Sequence, residues 1–274
     1  MIAANYHTHT TLCDGRDTPE AMTAAALALG FHTLGFSGHM DPSIHMDFPA
    51  YLRAVAAQRE ACAGRMDVLA GVELDQRFDR AEAACAEYVI GSTHFLPGPD
   101  GRLTAVDWSY EVSEALCREM YSGDWYALCA AYYEEEARVA ERTGCQIVGH
   151  FDLIARFNHE HPAFDEEDPR YLKPALDAMA HLVRQGVVFE INCGAFNRGR
   201  RRDFYPAAPL LRALREMGGE ILITSDAHEA RLLAGGFREA ERQAAACGFR
   251  EILLPGHGAD GRFDLRLRAQ RPEG

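Results

Sequence analysis

The sequence lacks several features that would each place it in a large class of proteins. No apolar stretch approaches the ~20 residues that a membrane-spanning helix needs, and we expect no signal peptide because no basic segment precedes an apolar one near residue 1. Basic residues are also in deficit, with 28 Lys and Arg against 41 Asp and Glu, a net charge of −13. That balance argues against nucleic acid or an anionic membrane as a partner.

Cysteine pairs of the C-x-x-C type are absent, although the chain has eight cysteines. Scattered cysteines in a chain of 274 residues predict reduced, mostly packed thiols of a cytoplasmic protein, not a disulfide framework or a zinc finger. No linker rich in Gly, Pro or Ser interrupts the sequence, and no internal repeat is visible. We therefore expect residues 1–274 to form a single domain, and the sequence leaves homo-oligomerisation open.

What the sequence does contain is an alternation of strand-like and helix-like segments. Apolar runs predict strands at 2–6, 33–36, 68–72, 88–90, 146–148, 187–191 and 221–224, with a further candidate at 252–254. The clearest helix signal lies between the first two runs, where Thr18, Pro19 and Glu20 offer an N-cap, a first-turn proline and an acid, and Gly30 a stop. This alternation predicts an α/β fold with parallel strands and right-handed crossovers, either a barrel or a doubly wound sheet.

Two longer helices are predicted at 124–144 and 168–186. Pro174 should kink the second of these or divide it in two, because proline removes a helical hydrogen bond and clashes with the preceding turn. Residues 97–123 form the longest irregular stretch, and we expect an inserted loop with a short helix there.

Histidines and acids follow six of the strand-like runs. The first run leads into HTHTTLCDG, and because a strand alternates its faces with period two, His7 and His9 project from the same side. The others occur in the motifs FSGH, GVELD, GSTH, GHFD and SDAH. The complete set of candidate metal ligands is His7, His9, Asp14, His39, Glu73, His94, His150, Asp226 and His228. Catalytic groups of parallel barrels gather at the carboxyl ends of the strands, so these motifs predict a metal centre at that end.

The ligand types indicate which metals bind and how many. Imidazole suits Zn, Mn and Fe, whereas Mg and Ca prefer oxygen ligands. One ion uses roughly four to six ligands, so nine candidates predict two or three divalent ions, with Glu73 the carboxylate best placed to bridge two of them. Adjacent divalent ions can stabilise the entering and leaving oxygens of a displacement at phosphorus, which predicts phosphoester chemistry.

Taken in order, these motifs resemble those of the PHP (polymerase and histidinol phosphatase) superfamily nearly from end to end. The stretch EINCGAFNRG at 190–199 is similar to the EINTGAxxRG stretch of members assigned as histidinol-phosphatase, with Cys193 where that pattern has Thr. The resemblance implies a distorted (β/α)7, TIM-like barrel of the PHP fold, with a trinuclear site at the carboxyl ends of the strands.

The resemblance also implies how three ions would share the ligands. One ion would be held by His7, His9, Glu73 and Asp226. A second would be held by Glu73, His94 and His150, and the third by Asp14, His39 and His228. Asp17 is an alternative to Asp14, because some relatives carry a histidine one position after Asp14, where this chain has Gly15.

Two arginines are candidates for substrate binding. Arg198, in the run RGRRR (198–202), follows the sixth predicted strand, where its planar guanidinium could bind a phosphate group bidentately. Arg156 lies six residues after His150. The rest of the run is expected to be solvated: Arg200, Arg201 and Arg202. The remaining histidines are expected at the surface or in packing: His32, His45, His159, His161, His181 and His257.

The sequence therefore predicts a metal-dependent phosphomonoesterase, with L-histidinol phosphate of histidine biosynthesis as the expected substrate and Asp226 or His228 as the proton donor to the departing alkoxide. Three alternatives remain open. The first is a phosphoesterase of the same superfamily acting on a nucleotide or another small phosphomonoester. The second is a non-catalytic metal-binding module, which the complete ligand set argues against. The third is a metal-dependent deaminase or amidohydrolase, which would need fewer ligands and has no use for the arginine run.

Overall fold

In the first third of the chain, short strands alternate with helices. We describe the protein from a computed structural model, which covers residues 2–273. The elements are β1 (Ala4–Asn5), α1 (Pro19–Ala28), β2 (Thr33–Phe36), β3 (His39–Met40), α2 (Phe48–Ala61), β4 (Asp67–Asp75) and β5 (Tyr88–Ser92). Thr18 caps α1 as predicted, accepting a hydrogen bond from the backbone N–H of Ala21.

The rest of the chain adds a hairpin, seven α-helices and the remaining strands, counted over residues 93–273. They are β6 (Phe95–Pro97), β7 (Leu103–Ala105), α3 (Tyr110–Tyr121), α4 (Trp125–Glu136), α5 (Val139–Thr143), β8 (Ile147–Val148), α6 (Pro169–Arg184), β9 (Val188–Asn192), α7 (Gly194–Asn197), α8 (Ala208–Glu216), β10 (Ile221–Thr224), α9 (Phe237–Ala246), β11 (Ile252–His257) and β12 (Phe263–Gln270).

The parallel sheet has the order β1-β2-β4-β5-β8-β9-β10, and β3 pairs with the end of β4. Its two edges approach each other just beyond β1 and β10, where Thr8 bridges Ala227 and the N–H of His9 donates to the carbonyl of Ala227 at 2.9 Å. Within residues 2–273, seven principal parallel strands thus form a nearly closed barrel surrounded by helices. The predicted distorted (β/α)7 barrel is confirmed, and the doubly wound alternative is excluded.

A buried tyrosine braces the barrel interior. Tyr88 is 1% exposed, and its hydroxyl donates to the carbonyl of Tyr6 at 2.5 Å. A Cβ added to Gly71 would lie 2.1 Å from the Tyr88 ring, so β4 needs glycine at this position. Glu73 follows two residues later on the same strand, and this packing therefore fixes the strand that carries it into the site.

Each predicted strand is present, but the helices differ from expectation. Residues 124–144 form two helices, because the N–H of Arg138 bonds to the carbonyl of Glu135, three residues back, and this tighter turn ends α4. The prediction that Pro174 divides its helix is wrong, since α6 runs continuously through it. Pro174 lies in the second turn of α6, where its missing N–H removes a single helical bond.

Two further regions are more regular than predicted. Residues 97–123 contain half of the β6–β7 hairpin and the twelve-residue helix α3, capped by Ser109. The strand β12, which pairs antiparallel with β11, was missed although FDLRLRAQ alternates apolar and polar residues. Across residues 2–273, no helix has the length and apolarity to span a membrane.

Candidate metal centre

The nine predicted ligands meet at the carboxyl end of the barrel. A cavity of about 450 Å³ opens there, and seven of the nine line it: Asp14, His39, Glu73, His94, His150, Asp226 and His228. His7 and His9 lie behind the cavity wall and are fully buried. The strand ends thus bring together residues that are up to 221 positions apart in the sequence.

Glu73 lies at the centre of this cluster and is 1% exposed. It sits opposite His39 in the β3–β4 pairing, and its Oε1 accepts a hydrogen bond from Ser92 Oγ at 2.7 Å. Ring nitrogens of five histidines lie 2.9–3.4 Å from its two carboxylate oxygens. Those of His7, His9 and His39 are near Oε2, and those of His94 and His150 are near Oε1. A carboxylate with histidines on both oxygens has the arrangement needed to bridge two ions.

Asp226 and Asp14 provide the other acidic oxygens. Asp226 Oδ1 lies 3.4 Å from His9 Nε2 and 3.5 Å from His228 Nδ1, and its φ of 47° places the residue in the left-handed region, a strained conformation typical of functional sites. Asp14 Oδ2 lies 3.0 Å from His228 Nε2. Asp17 instead accepts from the N–H of Ala230 at 2.7 Å, so the structure brings Asp14 to the cluster and leaves Asp17 outside it.

Ligand atoms converge in three groups, in each of which every atom lies within 4.8 Å of the others. The groups are His7, His9 and Asp226, then His39, Glu73 and His94, and lastly His9, Asp14, His39 and His228. This division differs from the expected one, because Glu73 is absent from the group of His7, His9 and Asp226, and His9 also joins the Asp14 group. In addition, His39 joins Glu73 and His94, while His150 contacts Glu73 without completing a group. The cause is the short strand β3, which aligns His39 directly with Glu73.

The donor set fits divalent metal ions. Five buried imidazole nitrogens have no hydrogen-bond partner among the described residues: His7 Nε2, His9 Nε2, His39 Nδ1, His94 Nδ1 and His150 Nδ1. Leaving a buried polar atom unpaired costs about 1–3 kcal/mol each. Although burial opposes ionisation, the neighbouring imidazoles, His39 first, hold the pKa of Glu73 well below its usual range. Unpaired nitrogens beside an ionised carboxylate are the surroundings that a divalent cation would satisfy.

Both predicted phosphate-binding arginines line the cavity. Arg198 donates to the backbone carbonyl of Asp226 at 3.1 Å and to its carboxylate at 3.2 Å. Gly194 permits this approach, because a Cβ there would lie 2.6 Å from Asp226 Oδ2 and 2.8 Å from the Arg198 guanidinium. Arg156 pairs with Asp107 at 3.0 Å. Both side chains are partly exposed, 25% for Arg198 and 17% for Arg156, so part of each faces the cavity.

The expectation that Arg201 is solvated is wrong. Its side chain is 3% exposed, because its guanidinium donates to the carbonyl of Ala155 and to the carboxylates of Asp203 and Glu166 at 2.8–3.2 Å. These acceptors compensate the burial of the charge. Arg200 and Arg202 are exposed as expected, and Arg200 also lines the cavity.

Sequence reasoning missed the acids behind the histidines. Glu190 Oε2 lies 2.9 Å from His7 Nδ1, Asp75 Oδ2 lies 3.3 Å from His94 Nδ1, and Asp41 Oδ2 lies 3.4 Å from His39 Nδ1. Glu190 did leave a signal, since an acid in the apolar run VVFEIN can be buried only if it has polar partners.

Comparison with known proteins assigns the family. Residues 5–194 match the model of the PHP domain. A Deinococcus radiodurans protein named "Probable histidinol-phosphatase" is 29% identical over 265 residues, which cover 90% of this chain and 95% of that protein. A Schizosaccharomyces pombe protein of the same name is 22% identical over 233 residues, covering 81% of this chain and 74% of its own length.

Solved structures agree in fold. The Listeria monocytogenes protein HisK, assigned as a histidinol phosphatase, superposes with a TM-score of 0.74 at 19% identity, covering 86% of this chain and 99% of that chain. The Lactococcus lactis histidinol phosphate phosphatase, in complex with zinc, L-histidinol and phosphate, gives a TM-score of 0.68 at 20% identity, covering 95% and 98%. With the motifs, the barrel and the matched domain in agreement, the chain belongs to the PHP domain family.

Proposed function

We propose that the protein is a metal-dependent phosphomonoesterase that hydrolyses L-histidinol phosphate to L-histidinol and phosphate in histidine biosynthesis. The observation that carries this proposal is the cluster of six histidines and three carboxylates in and directly behind one cavity wall, with imidazole nitrogens that make no hydrogen bond and two arginines lining the cavity. The names of the two relatives and the zinc, histidinol and phosphate bound by the Lactococcus lactis protein support this choice of substrate.

The cluster would hold two to three divalent ions, Zn, Mn or Fe, with the nine predicted ligands as their donors. Glu73 is the proposed bridge because histidines face both of its oxygens. When bound, the ions would act as Lewis acids that neutralise charge developing on the phosphoryl oxygens. The barrel contributes the geometry, since each ligand is held at a strand end before any substrate arrives.

Arg198 and Arg156 would bind the phosphate group. A phosphate monoester carries nearly two negative charges at neutral pH, and a protein of net charge −13 repels it at long range. Attraction must therefore come from positive groups on the cavity wall. Both side chains line the cavity and are partly exposed, 25% for Arg198 and 17% for Arg156, and charge-assisted bonds from guanidinium groups to phosphate are among the strong ones.

His228 is the better of the two proposed proton donors to the leaving group. Its side chain is 26% exposed, and its Nε2 lies 3.0 Å from Asp14 Oδ2, which can orient the ring. Asp226 is less suited: burial opposes its ionisation, but Arg198 and then His7 hold its pKa well below the usual range. In a site with two ions, in which His228 holds none, we therefore assign proton transfer to His228. Asp226 would orient Arg198 and hold an ion.

We further propose that residues 1–274 act as one domain in the cytoplasm, with a small phosphomonoester as partner. Residues after position 194 support the single domain, because they supply β10, Asp226 and His228, which complete the barrel and the cluster. Free thiols at all eight cysteines, six of them buried within the described residues, are typical of a reducing compartment.

The test is phosphate release from a panel of monoesters by protein loaded with Zn, Mn or Fe. We expect kcat/KM for histidinol phosphate to exceed that for nucleoside monophosphates and sugar phosphates by at least about tenfold, a difference of about 1.4 kcal/mol in transition-state binding. A nucleotide or sugar phosphate as the best substrate would support the alternative phosphoesterase. Release from no ester with any of the three metals would leave a non-catalytic module.

A further inference from the structure

Glu190 occupies an unusual position for a charged residue. It lies within β9, between β8 and β10 in the sheet, and it is 0% exposed. Burying a carboxylate is costly unless hydrogen bonds compensate it. Its partners therefore show what the chain gains from an acid at this position.

Four polar groups surround the carboxylate. Its Oε1 accepts from the backbone N–H of His150 and from Asn192 Nδ2, both at 2.7 Å. Its Oε2 accepts from Thr224 Oγ1 at 2.8 Å and lies 2.9 Å from His7 Nδ1. Glu190 thus connects the segments that follow β1 and β8 with the end of β10, and each of these three segments carries a candidate metal ligand.

The contact with His7 determines which ring nitrogen carries hydrogen. A carboxylate that already accepts three N–H or O–H donors has only lone pairs to offer its fourth neighbour, so Nδ1 of His7 must donate. In the neutral ring the lone pair is then on Nε2. That nitrogen is buried, lies 3.1 Å from Glu73 Oε2 and has no hydrogen-bond partner among residues 2–273.

We propose that Glu190 is a positioning residue of the metal centre: it holds His7 in the tautomer and orientation that present Nε2 to an ion, and it fixes the backbone at His150. The role rests on the proposed metal-dependent function. Carboxylates that bond the second nitrogen of a ligand histidine typically account for 10–100-fold of metal affinity. Glu190 itself lies behind His7 and belongs to none of the three ligand groups.

Glu190→Gln is an informative variant because it keeps the shape and removes the acceptor pattern. If the amide nitrogen faces His7, it donates to Nδ1, and the ring hydrogen moves to Nε2, where it blocks the ion. If the amide is rotated, its N–H groups oppose the donors of His150 and Asn192. Neither orientation reproduces the four contacts of the parent carboxylate.

The experiment titrates metal-depleted protein with Co²⁺ and follows the visible d–d bands, a readout that needs no substrate. We expect Glu190→Gln to bind one cobalt ion about 10–100-fold more weakly, with altered bands for that ion and the other affinities near those of the parent. We expect kcat to fall and KM to stay within about threefold, because the substrate does not contact Glu190. Glu136→Gln is the matched control, since Glu136 is also 0% exposed but bonds no histidine within the described residues.

Cobalt affinities of Glu190→Gln within threefold of the parent, with only a loss of thermal stability, would overturn the proposal in favour of a purely structural role. If Glu190→Gln does not fold, Thr224→Val replaces it, because this change removes one hydrogen-bond donor to the Glu190 carboxylate. We expect cobalt affinity to fall about two- to fivefold in Thr224→Val, and an unchanged affinity contradicts the role. A parent protein that takes up no cobalt contradicts the proposed function itself, and the role of Glu190 falls with it.

Discussion

Both ends of the barrel carry histidine and carboxylate clusters, but the two clusters differ in how fully their ring nitrogens are hydrogen-bonded. At the amino ends of β4 and β5, both ring nitrogens of His257 are bonded, Nδ1 to Asp67 at 2.6 Å and Nε2 to Glu87 at 2.8 Å, and Glu87 also accepts from Arg59. At the carboxyl ends, five buried imidazole nitrogens make no hydrogen bond within residues 2–273, although carboxylate oxygens lie 3.1–3.4 Å from four of them. The first cluster is complete as it stands, whereas the second needs further groups.

This difference separates a stabilising cluster from a functional one. Natural cores leave few buried polar groups unpaired, because each costs about 1–3 kcal/mol. Several such groups around one cavity therefore favour a bound group that satisfies them. A histidine surrounded by acids is therefore weak evidence for a metal site. A buried ring nitrogen that makes no hydrogen bond beside those acids is stronger evidence. His257 was expected at the surface or in packing, and its bonding fits a structural role.

The largest effect is expected from Glu73→Gln, which changes the residue at the centre of the unpaired cluster. The amide keeps the size of the side chain but removes the charge that faces five imidazoles. We expect the loss of at least one ion and a fall in turnover of about 100-fold or more, on the order of 3 kcal/mol. Metal analysis with phosphate-release kinetics checks this. Normal metal content with more than a tenth of parent turnover would show that Glu73 is not a bridge.

Arg198→Ala separates substrate binding from metal binding at the same end of the barrel. We expect kcat/KM for histidinol phosphate to fall by roughly 30- to 1000-fold, about 2–4 kcal/mol, because a charge-assisted contact to phosphate is lost. The metal content should stay unchanged. Arg202→Ala is the control, since Arg202 is exposed, and it should cost less than about threefold. Equal behaviour of the two variants, or loss of metal from Arg198→Ala, contradicts the phosphate-binding role.

Arg201→Ala should lower stability. Its guanidinium is bonded to Ala155, Asp203 and Glu166, and removing one partner of a buried charge network typically costs about 3 kcal/mol or more. Denaturant unfolding should show this loss, while the metal content of the folded fraction remains that of the parent. A variant with parent stability would mean that Arg201 is as dispensable as its exposed neighbours.

The smallest effect is expected at the amino end, from His257→Gln. Burial lowers the pKa of His257, but the bonds to Glu87 and Asp67 outweigh this and raise it above 6.5. A raised folded-state pKa contributes stability that is fully present below about pH 6.5 and is lost as the pH rises through the folded value. The variant should therefore be less stable than the parent by about 1 kcal/mol or less at pH 6, with the difference shrinking towards pH 9.

Urea unfolding of parent and His257→Gln at both pH values measures this difference, and phosphate release should be unchanged. A difference that grows with pH, or a loss of bound metal, would show that the two ends of the barrel are not independent.

Much of the fold and of the site could be predicted because short local sequence patterns indicate both. Apolar runs mark the strands, and the histidines follow those runs directly, so the parallel order alone brings them to one end. Other features depend on contacts that no local pattern contains. Arg201 sits in a charged run that looks solvated, and its burial depends on Glu166, 35 positions away. Glu190 meets His7 across 183 positions, and the pairing of β3 with β4 places His39 beside Glu73.

The central claim is that the unpaired cluster at the carboxyl end binds several ions and that phosphomonoester hydrolysis depends on them. The most direct measurement determines the metal content of the purified protein and its histidinol phosphate hydrolysis before and after chelation and reloading. We predict two to three equivalents of Zn, Mn or Fe, loss of activity in the chelator and its return with the metal. One equivalent or fewer, with full activity retained in the chelator, would contradict the account.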